Sequence, residues 1–204
     1  MGTLVLDPHV EKKVRAERAA SGADRWDEVW EGVYVMSPLP NDEHQEVVGK
    51  LTTVLEISLG WTGLGDVRPG VNVSDRDDDW TQNFRCPDMA VFLRGGQAIN
   101  RDTYWLGGPD FAVEVVSPDD RARDKIPFYA RVGVRELLVI DRDPWVLELH
   151  RLRDGQLMPV GTSTAEKPDV LASAVVTLTF RLVPGAARPR IEVAHSDGEP
   201  RWMV

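Results

Sequence analysis

A single glutamate, Glu114, interrupts the otherwise apolar segment Phe111–Val116 of this 204-residue sequence. The segment has the length and composition of a β-strand that is buried on both faces. Because side chains alternate along a strand, Glu114 would lie between Ala112 and Val116 on its own face, with apolar neighbours only. An unpaired buried carboxylate is costly, so it either stays protonated or has a partner. We therefore expect a basic side chain, a hydrogen-bond network or a metal ion beside it.

A second carboxylate, Asp88, follows Pro87 in another apolar segment, Phe84–Leu93. Two adjacent strands that carry one carboxylate each can hold both groups within reach of one cation. Hard oxygen ligands suit Mg²⁺ or Mn²⁺, which keep several waters and rarely need a complete protein cage. We predict a Mg²⁺ or Mn²⁺ site formed by Asp88 and Glu114, and the backbone carbonyl of Val115 can complete the set.

Lys125 lies eleven residues after Glu114, near the start of the helix predicted to follow that strand. A connection of this length can fold the first turns of the helix back over the strand end. An ammonium there can stabilise an attacking hydroxide or the charge that develops on a phosphate. Tyr129, four residues later, would share the helix face and can donate from its hydroxyl.

Each of these residues also has a plainer interpretation. Glu114 can pair with an internal arginine, Asp88 can cap a turn, and Lys125 can be solvated. Taken singly, the two interpretations are about equally supported. Together the residues favour an active site, because two acids and a base are distributed over two strands and the helix that follows.

The four histidines do not predict a zinc site, because they are scattered and no HxxxH or HExxH spacing occurs. His44 differs from the others, since it lies in the first turn of a predicted helix and can face the same site as Glu31. A solvent-exposed histidine at a helix start is slightly favoured by the residues alone. The sequence has no GxSxG elbow, P-loop or GxGxxG, and its single cysteine, Cys86, excludes an intrachain disulfide.

The formal net charge of −9 disfavours a protein that coats nucleic acid non-specifically, because such binding requires a basic surface. A nuclease is still compatible, since its basic groups can be concentrated on one face. Several basic residues lie close together in the sequence: Arg121, Arg123, Lys125, Arg131 and Arg135. On charge alone we favour a solvated helix face neutralised by three neighbouring aspartates, Asp119, Asp120 and Asp124.

No stretch reaches the roughly 20 apolar residues that a membrane-spanning helix needs. The first residues become charged before a signal-peptide apolar region can form. We therefore expect a cytoplasmic protein without a membrane partner.

The alternation of strand and helix patterns predicts one mixed α/β domain over residues 1–204. Its core would span about residues 25–150, with two main helices packed on a mixed central sheet, and a β-rich extension would follow at about 151–193. The predicted helices are 9–21, from Asn41 or Asp42 to about Leu59, and from the caps Ser117 and Asp119–Asp120 to Val132. The predicted strands are 31–37, 66–73, 84–93, 111–116, 135–141, 145–152, 156–160, 175–183 and 191–193.

Taken together, these segments resemble the Uma-type family of restriction-endonuclease-like proteins. The matching segments are Glu31-Gly32 followed by VYVMSP, His44 at a helix start, Pro87-Asp88-x-Ala-Val, PDFAVEVVSP, Lys125, Tyr129-Ala130, Gly133–Glu136 and LLVID. The resemblance covers roughly residues 25–150, with a looser match to about 193. The combination is specific, whereas a single Pro-Asp pair would be weak.

The family belongs to the PD-(D/E)xK nuclease superfamily. The resemblance therefore implies a restriction-endonuclease-like mixed sheet flanked by helices, a divalent metal ion and hydrolysis of phosphodiester bonds. By position, Asp88 and Glu114 would be the metal ligands and Lys125 the catalytic lysine. Glu31 and His44 would be accessory residues at the site.

The sequence departs from the superfamily pattern at Val116, which stands two residues after Glu114 where the lysine of ExK is expected. The resemblance implies that the lysine has moved to the following helix, where Lys125 is the candidate. Pro127 permits this only if the first helical turn begins near Lys125. A second pair, Pro109-Asp110, is interpreted as the start of the strand that carries Glu114.

These observations predict a Mg²⁺- or Mn²⁺-dependent endonuclease that acts on DNA. The rival hypothesis is a catalytically inactive binding or assembly module that keeps the fold and its acidic pocket, which the acidic Asp77–Asp79 cluster favours. A hydrolase for a small phosphorylated substrate is a third hypothesis and would show a closed pocket. A homodimer is also compatible with the sequence, because edge strands of the β-rich end can pair.

Overall fold

A computed structural model of the chain describes residues 3–117 and 121–204. Its α-helices are α1 (Pro8–Ser21), α2 (Asp42–Leu55) and α3 (Ile126–Arg131). Its strands are β1 (Thr3–Val5), β2 (Glu28–Trp30), β3 (Val33–Met36), β4 (Gly65–Pro69), β5 (Val73–Ser74), β6 (Phe84–Arg85), β7 (Met89–Leu93), β8 (Ile99–Asn100), β9 (Trp105–Leu106), β10 (Phe111–Val115), β11 (Glu136–Arg142), β12 (Trp145–Arg153), β13 (Gln156–Thr164), β14 (Leu171–Ala172), β15 (Leu178–Val183), β16 (Arg190–His195) and β17 (Arg201–Met203). No helix in these residues is long and apolar enough to cross a membrane.

The strands form three sheets. A six-stranded central sheet has the order β13-β12-β11-β10-β7-β4, and only its β10–β11 pair is parallel. A seven-stranded sheet has the order β1-β3-β2-β6-β5-β9-β8, and a four-stranded sheet has the order β14-β15-β16-β17. The prediction of a mixed α/β fold with a central sheet is confirmed, and strands β1–β3, β5, β6, β8 and β9 form a separate sheet.

The two faces of the central sheet pack against different partners. Phe111, Val113 and Val115 of β10 lie in one apolar cluster with α2 and the four-stranded sheet. Ala112 lies on the opposite face, in a cluster that includes Tyr129 of α3. The alternation expected for a strand buried on both faces is thus observed, and it directs Glu114 towards α3.

The helix α2 begins where the sequence predicts. The side chain of Asn41 accepts a hydrogen bond from the backbone N–H of His44 at 3.0 Å, and the acidic residues Asp42 and Glu43 occupy the first turn. Both features stabilise a helix N-terminus. A π-helical turn, Glu56–Gly60, extends the helix to about its predicted end. His44 is thereby fixed in the first turn, at the end of the helix near the acids.

The predicted strand 84–93 is in fact two strands in different sheets. The break comes at Cys86-Pro87-Asp88, where proline has no N–H to donate to a ladder. The predicted strand 66–73 is likewise divided, because Gly70 adopts a positive φ of 59° between β4 and β5. Because of these two breaks, residues 65–93 contribute β4 and β7 to the central sheet and β5 and β6 to the seven-stranded sheet.

The predicted helix from Ser117 to Val132 is much shorter than expected. A 3-10 turn, Ala122–Lys125, precedes α3, and Pro127 lies in the first turn of α3. A proline is tolerated there because the first N–H groups of a helix have no intrahelical acceptor. The predicted caps Asp119–Asp120 lie outside the described residues.

The β-rich end both extends and covers the central sheet. Strands β12 and β13 continue the sheet beside β11, while β14–β17 form the sheet that packs on one of its faces. The buried carboxylate of Glu136 accepts hydrogen bonds from Arg151 Nε at 2.6 Å, from the Ser173 hydroxyl at 2.5 Å and from the Ala174 N–H at 3.1 Å. Glu136 therefore ties the segment before β15 to the central sheet.

Candidate active site

Glu114 lies on β10 in the interior of the central sheet, with its side chain 3% exposed. Lys125 Nζ lies 3.1 Å from each oxygen of its carboxylate. The hydroxyl of Tyr129 donates to Oε1 of the same group. The buried acid thus has the partner that its sequence context requires, and its basic partner is a lysine instead of an internal arginine.

Burial raises the pKa of Glu114 to about 8. The ammonium of Lys125 and the hydrogen bond from Tyr129 act in the opposite direction, while the carboxylates of Asp88 and Glu28 add to the increase. The Glu114 carboxyl is therefore largely protonated at neutral pH unless another cation lies close to it.

Asp88 is held at the point where β7 and β10 separate. Their antiparallel pairing ends with Met89 opposite Val113. One residue further, Oδ2 of Asp88 accepts the backbone N–H of Val115 at 2.7 Å, and Oδ1 lies 2.9 Å from Nε2 of His44. The side chain of Asp88 therefore continues the hydrogen bonding of β10 beyond its strand partner. Val115 contributes to the site through this backbone N–H.

Lys125 is the residue immediately before α3, and its side chain extends into the site. Its Nζ lies 2.9 Å from Oε1 of Glu28, in addition to its contacts with Glu114, and its side chain is 11% exposed. The 3-10 turn and Pro127 place the helix start at Ile126, so the condition that Pro127 imposed on the predicted placement is met. Lys125 and Glu114 are thus adjacent although Val116 occupies the expected position of the lysine.

Glu28 on β2 is the acidic residue at the site that the sequence prediction missed. Besides its contact with Lys125, its Oε1 accepts the backbone N–H of Cys86 at 2.8 Å. Its Oε2 accepts the indole N–H of Trp30 at 2.5 Å. A signal was present in the sequence, since Glu28 precedes the apolar Val29. It was overlooked because the strand was predicted to begin only at Glu31.

Glu31 was predicted to lie at the site, and the structure does not place it there. It lies in the turn between β2 and β3, with a positive φ of 47°, and its side chain is 57% exposed. Its carboxylate pairs with Arg76 at 3.0 Å and with Arg131 at 2.7 Å, and it accepts from Asn83 at 3.0 Å. Glu31 lies in the turn itself and pairs with surface arginines. Glu28, three residues earlier on β2, is the acid that faces the cluster.

Tyr129 lies in the interior behind Glu114 and is fully buried. Burial and the neighbouring carboxylate of Glu114 raise the pKa of its hydroxyl well above the usual range. Tyr129 is therefore a hydrogen-bond donor that orients Glu114.

Arg142 on β11 ties the end of β10 to the start of α2. Its guanidinium donates to the carbonyl of Val116 at 3.2 Å and to the hydroxyl of Ser117 at 2.9 Å. It also donates to the cap residue Asn41 at 2.9 Å and to Glu43 at 3.0 Å. Glu114 lies on β10, and His44 of α2 contacts Asp88. By joining β10 to α2, Arg142 therefore holds the two acids in a fixed relative position.

The other predicted basic residues do not form one basic face. Arg123 pairs with Asp141 and Glu148, Arg131 with Glu31 and Asp75, and Arg135 with Asp110. Arg121 pairs with Asp124 at 2.7 Å. Arg121 thus has an expected partner in Asp124, whereas the acids that pair with Arg123, Arg131 and Arg135 come from other segments of the chain. Lys125 is turned inward to the buried acids.

The acids lie in a cleft of about 380 Å³. Its lining includes residues of α2 between His44 and Thr52, together with Trp26, Trp30 and the segment 37–40. Asp88, Glu114 and Glu28 line the cleft together with Lys125 and His44. The structure thus brings four of the predicted site residues to one cavity, with Tyr129 and the backbone of Val115 directly behind them.

Within residues 3–117 and 121–204, no three His, Cys, Asp or Glu side chains are grouped so as to hold a metal ion. The chemistry of the donors nevertheless suits a hard divalent cation. Glu28, Asp88 and Glu114 carry three negative charges when ionised, and Lys125 carries one positive charge. Burial is the main cause of the raised pKa of Glu114, and the carboxylates of Asp88 and Glu28 add to it. A divalent cation beside these groups would favour the ionised form.

Residues 18–182 match the model of the Uma2 family, which is described as "Putative restriction endonuclease". The fold is similar to a crystal structure of "a putative nuclease belonging to DUF820" from Anabaena variabilis ATCC 29413, with a TM-score of 0.57 and 19% sequence identity. This similarity covers 72% of the present chain and 80% of the other. None of the curated proteins matches the chain. The restriction-endonuclease-like fold predicted from the sequence is confirmed.

Proposed function

The chain belongs to the Uma2 family, and we propose that it is a nuclease that hydrolyses phosphodiester bonds in DNA with Mg²⁺ or Mn²⁺. The observation that carries this proposal is the position of Lys125 Nζ, 3.1 Å from Glu114 and 2.9 Å from Glu28. Asp88 is hydrogen-bonded to the same strand end. Two acids that can hold a metal ion and a lysine that can stabilise charge on a phosphate therefore line one cleft, which supports metal-assisted hydrolysis of a phosphodiester.

Asp88 and Glu114 are the residues that would hold the metal ion, and Glu28 lies close enough to Lys125 to support them. When bound, a divalent ion polarises the scissile phosphate and lowers the pKa of a coordinated water. Oxygen ligands of this kind favour Mg²⁺ or Mn²⁺ over softer metals.

The remaining groups orient the acids and the attacking water. Lys125 is placed to hold the water and to stabilise charge that develops on the phosphate oxygens. Tyr129 donates to Glu114 and fixes the direction of its second oxygen, while His44 holds Asp88. Such outer partners keep ligands in a productive orientation.

Cleavage of single-stranded DNA and of supercoiled plasmid, each with Mg²⁺, Mn²⁺ or EDTA, tests the proposal. We expect shortened strands, or nicked or linear plasmid, only with a divalent metal, and neither product from Glu114→Gln. Glu31→Gln is the matched control, because Glu31 is an acid of the same neighbourhood that lies outside the cluster. Cleavage that persists in EDTA or in Glu114→Gln would contradict it.

A nuclease-fold module that binds without cleaving is the second candidate. The ammonium of Lys125 already lies between Glu28 and Glu114, which favours this reading. Calorimetry with Mg²⁺ and Mn²⁺ separates the two candidates: absence of binding at millimolar metal would support the module. The cytoplasmic location and the pairing of two copies stay predictions.

A further inference from the structure

The reacting groups proposed above are buried. Glu114 and Glu28 are 3% and 2% exposed, and Lys125 is 11% exposed. A phosphate can therefore contact Lys125 only by entering the cleft. The cleft volume of about 380 Å³ is in the range of small-molecule pockets, about 300–1,000 Å³. An intact duplex is a stiff rod that carries its phosphates between two grooves, and a cleft of this size does not admit it.

The charge of the cleft is also unlike that of a duplex-binding groove. Its lining includes three basic residues, Arg25, Arg121 and Lys125, which are matched by three carboxylates, Glu28, Asp88 and Glu114. Affinity for a duplex rests largely on basic groups that neutralise phosphates on both strands. Because basic residues do not outnumber acidic residues in this lining, another kind of contact must supply much of the affinity for the substrate.

The walls of the cleft offer such contacts. Trp26 and Trp30 line the cleft together with Pro38, Leu39 and Pro40. Leu39 is 68% exposed, although it is a large apolar residue. Unpaired bases stack and pack on aromatic and apolar side chains, whereas paired bases present only their edges in the grooves.

We propose that the cleft takes an unpaired strand of DNA, and that Leu39 and the other apolar residues of the lining hold its bases while the phosphate reaches Lys125. This inference rests on the proposed nuclease function and specifies its substrate. Single-stranded DNA, or an unpaired stretch within a duplex, is the substrate class. An intact duplex enters only after local opening of its base pairs, which costs free energy.

The first experiment compares three end-labelled substrates with the same sequence: a single strand, its duplex, and the duplex with a central unpaired bubble. With Mn²⁺ we expect the single strand and the bubble to be cut at least about tenfold faster than the duplex, because stacking on unpaired bases is lost in the duplex. Cuts in the bubble should fall within its unpaired bases. A duplex that is cut as fast as the single strand overturns the inference.

The second experiment measures binding, so that the two proposals fail separately. Fluorescence anisotropy of Glu114→Gln with labelled single strand and duplex needs no cleavage. We expect at least about tenfold tighter binding of the single strand at equal salt. If no substrate is cleaved but this preference is found, the nuclease function fails and the substrate inference stands. Equal binding, or binding of neither, overturns the inference.

A matched pair of variants tests the apolar lining. Leu39→Ser should weaken binding of the single strand by about fivefold, because a contact with a base is lost. Leu6→Ser is the control, since Leu6 is 77% exposed and does not line the cleft. Both side chains are exposed, so thermal melts should show both variants folded. Equal affinity of the two variants for the single strand contradicts the assignment of Leu39.

Discussion

The ammonium of Lys125 lies 3.1 Å from both carboxylate oxygens of Glu114, and the same ammonium lies 2.9 Å from Glu28. One positive charge therefore serves two buried acids from different sheets. The lysine comes from the turn before α3, eleven residues after Glu114 in the chain. The site thus depends on a single residue for both its charge balance and its proposed chemistry.

Replacement of Lys125 by Met should lower the cleavage rate by about a hundredfold or more, because the charge that develops on the phosphate loses its stabilising group. Plasmid cleavage at saturating Mn²⁺, normalised to folded protein, measures the effect. Lys50→Met is the control, since Lys50 is a surface residue that pairs with Glu46 on α2. Equal loss in both variants would point to a general effect of lysine removal and against the role of Lys125.

Glu28→Gln should reduce cleavage by about tenfold or more, because it removes one of the two carboxylates that hold Lys125 in place. Glu31→Gln should stay within about twofold of the wild type, since surface ion pairs contribute little. The two glutamates are three residues apart, so the pair is well matched. If Glu31→Gln is the more damaging change, the assignment of the accessory acid made from the sequence is correct and that made from the structure is not.

Metal binding should increase with pH up to about 8. A divalent ion must displace the proton of Glu114, and burial raises the pKa of that carboxyl to about 8. Below this value the affinity for Mn²⁺ should rise about tenfold per pH unit and then level off. Calorimetric titrations with Mn²⁺ between about pH 6 and pH 9 measure this dependence of the affinity on pH. A flat profile below about pH 8 would contradict the prediction.

The raised pKa of Glu114 also predicts how the free energy of unfolding of the metal-free protein depends on pH. The pKa of Glu114 is about 8 in the folded chain and 4.5 ordinarily, so the folded state holds this proton more tightly. The stabilisation that comes from this bound proton is complete below about pH 4.5 and is lost as the pH rises through about 8. Urea unfolding in EDTA should show this decline for the wild type and a flatter profile for Glu114→Gln, which has no proton to lose. Parallel profiles would refute the assignment.

Arg142→Met should lower the free energy of unfolding by about 3 kcal/mol, because the buried guanidinium links α2 to the end of β10. Arg123→Met is the control. Arg123 makes ion pairs with Asp141 and Glu148, but its side chain is 45% exposed, so its loss should cost about 1 kcal/mol or less. Urea unfolding of both variants measures the two free energies. Equal losses in the two variants would contradict the structural role of Arg142.

The residues that the sequence identified best were those with a strong local anomaly. Glu114 stands alone in an apolar strand, so it could be placed from pattern alone. The cap at Asn41 placed the helix around His44, but the residues alone slightly favoured a solvent-exposed histidine, whereas the structure buries His44 beside Asp88. Lys125 was placed by its distance along the chain and by the constraint at Pro127. Each inference concerned a segment that is continuous in the sequence.

Contacts between distant segments could not be predicted in this way. Glu28 of β2 meets Lys125 of the turn before α3 only in the folded protein, because the two residues are distant in the sequence. The division of the chain at Pro87 into two sheets is likewise a matter of tertiary pairing. Local pattern sets which face a side chain occupies, and the packing of sheets sets what that face meets.

The separation of β7 and β10 beside Asp88 divides the chain into parts that tolerate changes in length and parts that do not. Side chains alternate along a strand, so one residue inserted within β7 or β10 would turn Asp88 or Glu114 to the opposite face. The connection between these strands, residues 94–110, carries β8 and β9, which pair in the seven-stranded sheet. Related proteins should therefore differ in length between the strands of this region while keeping the spacing within each strand constant.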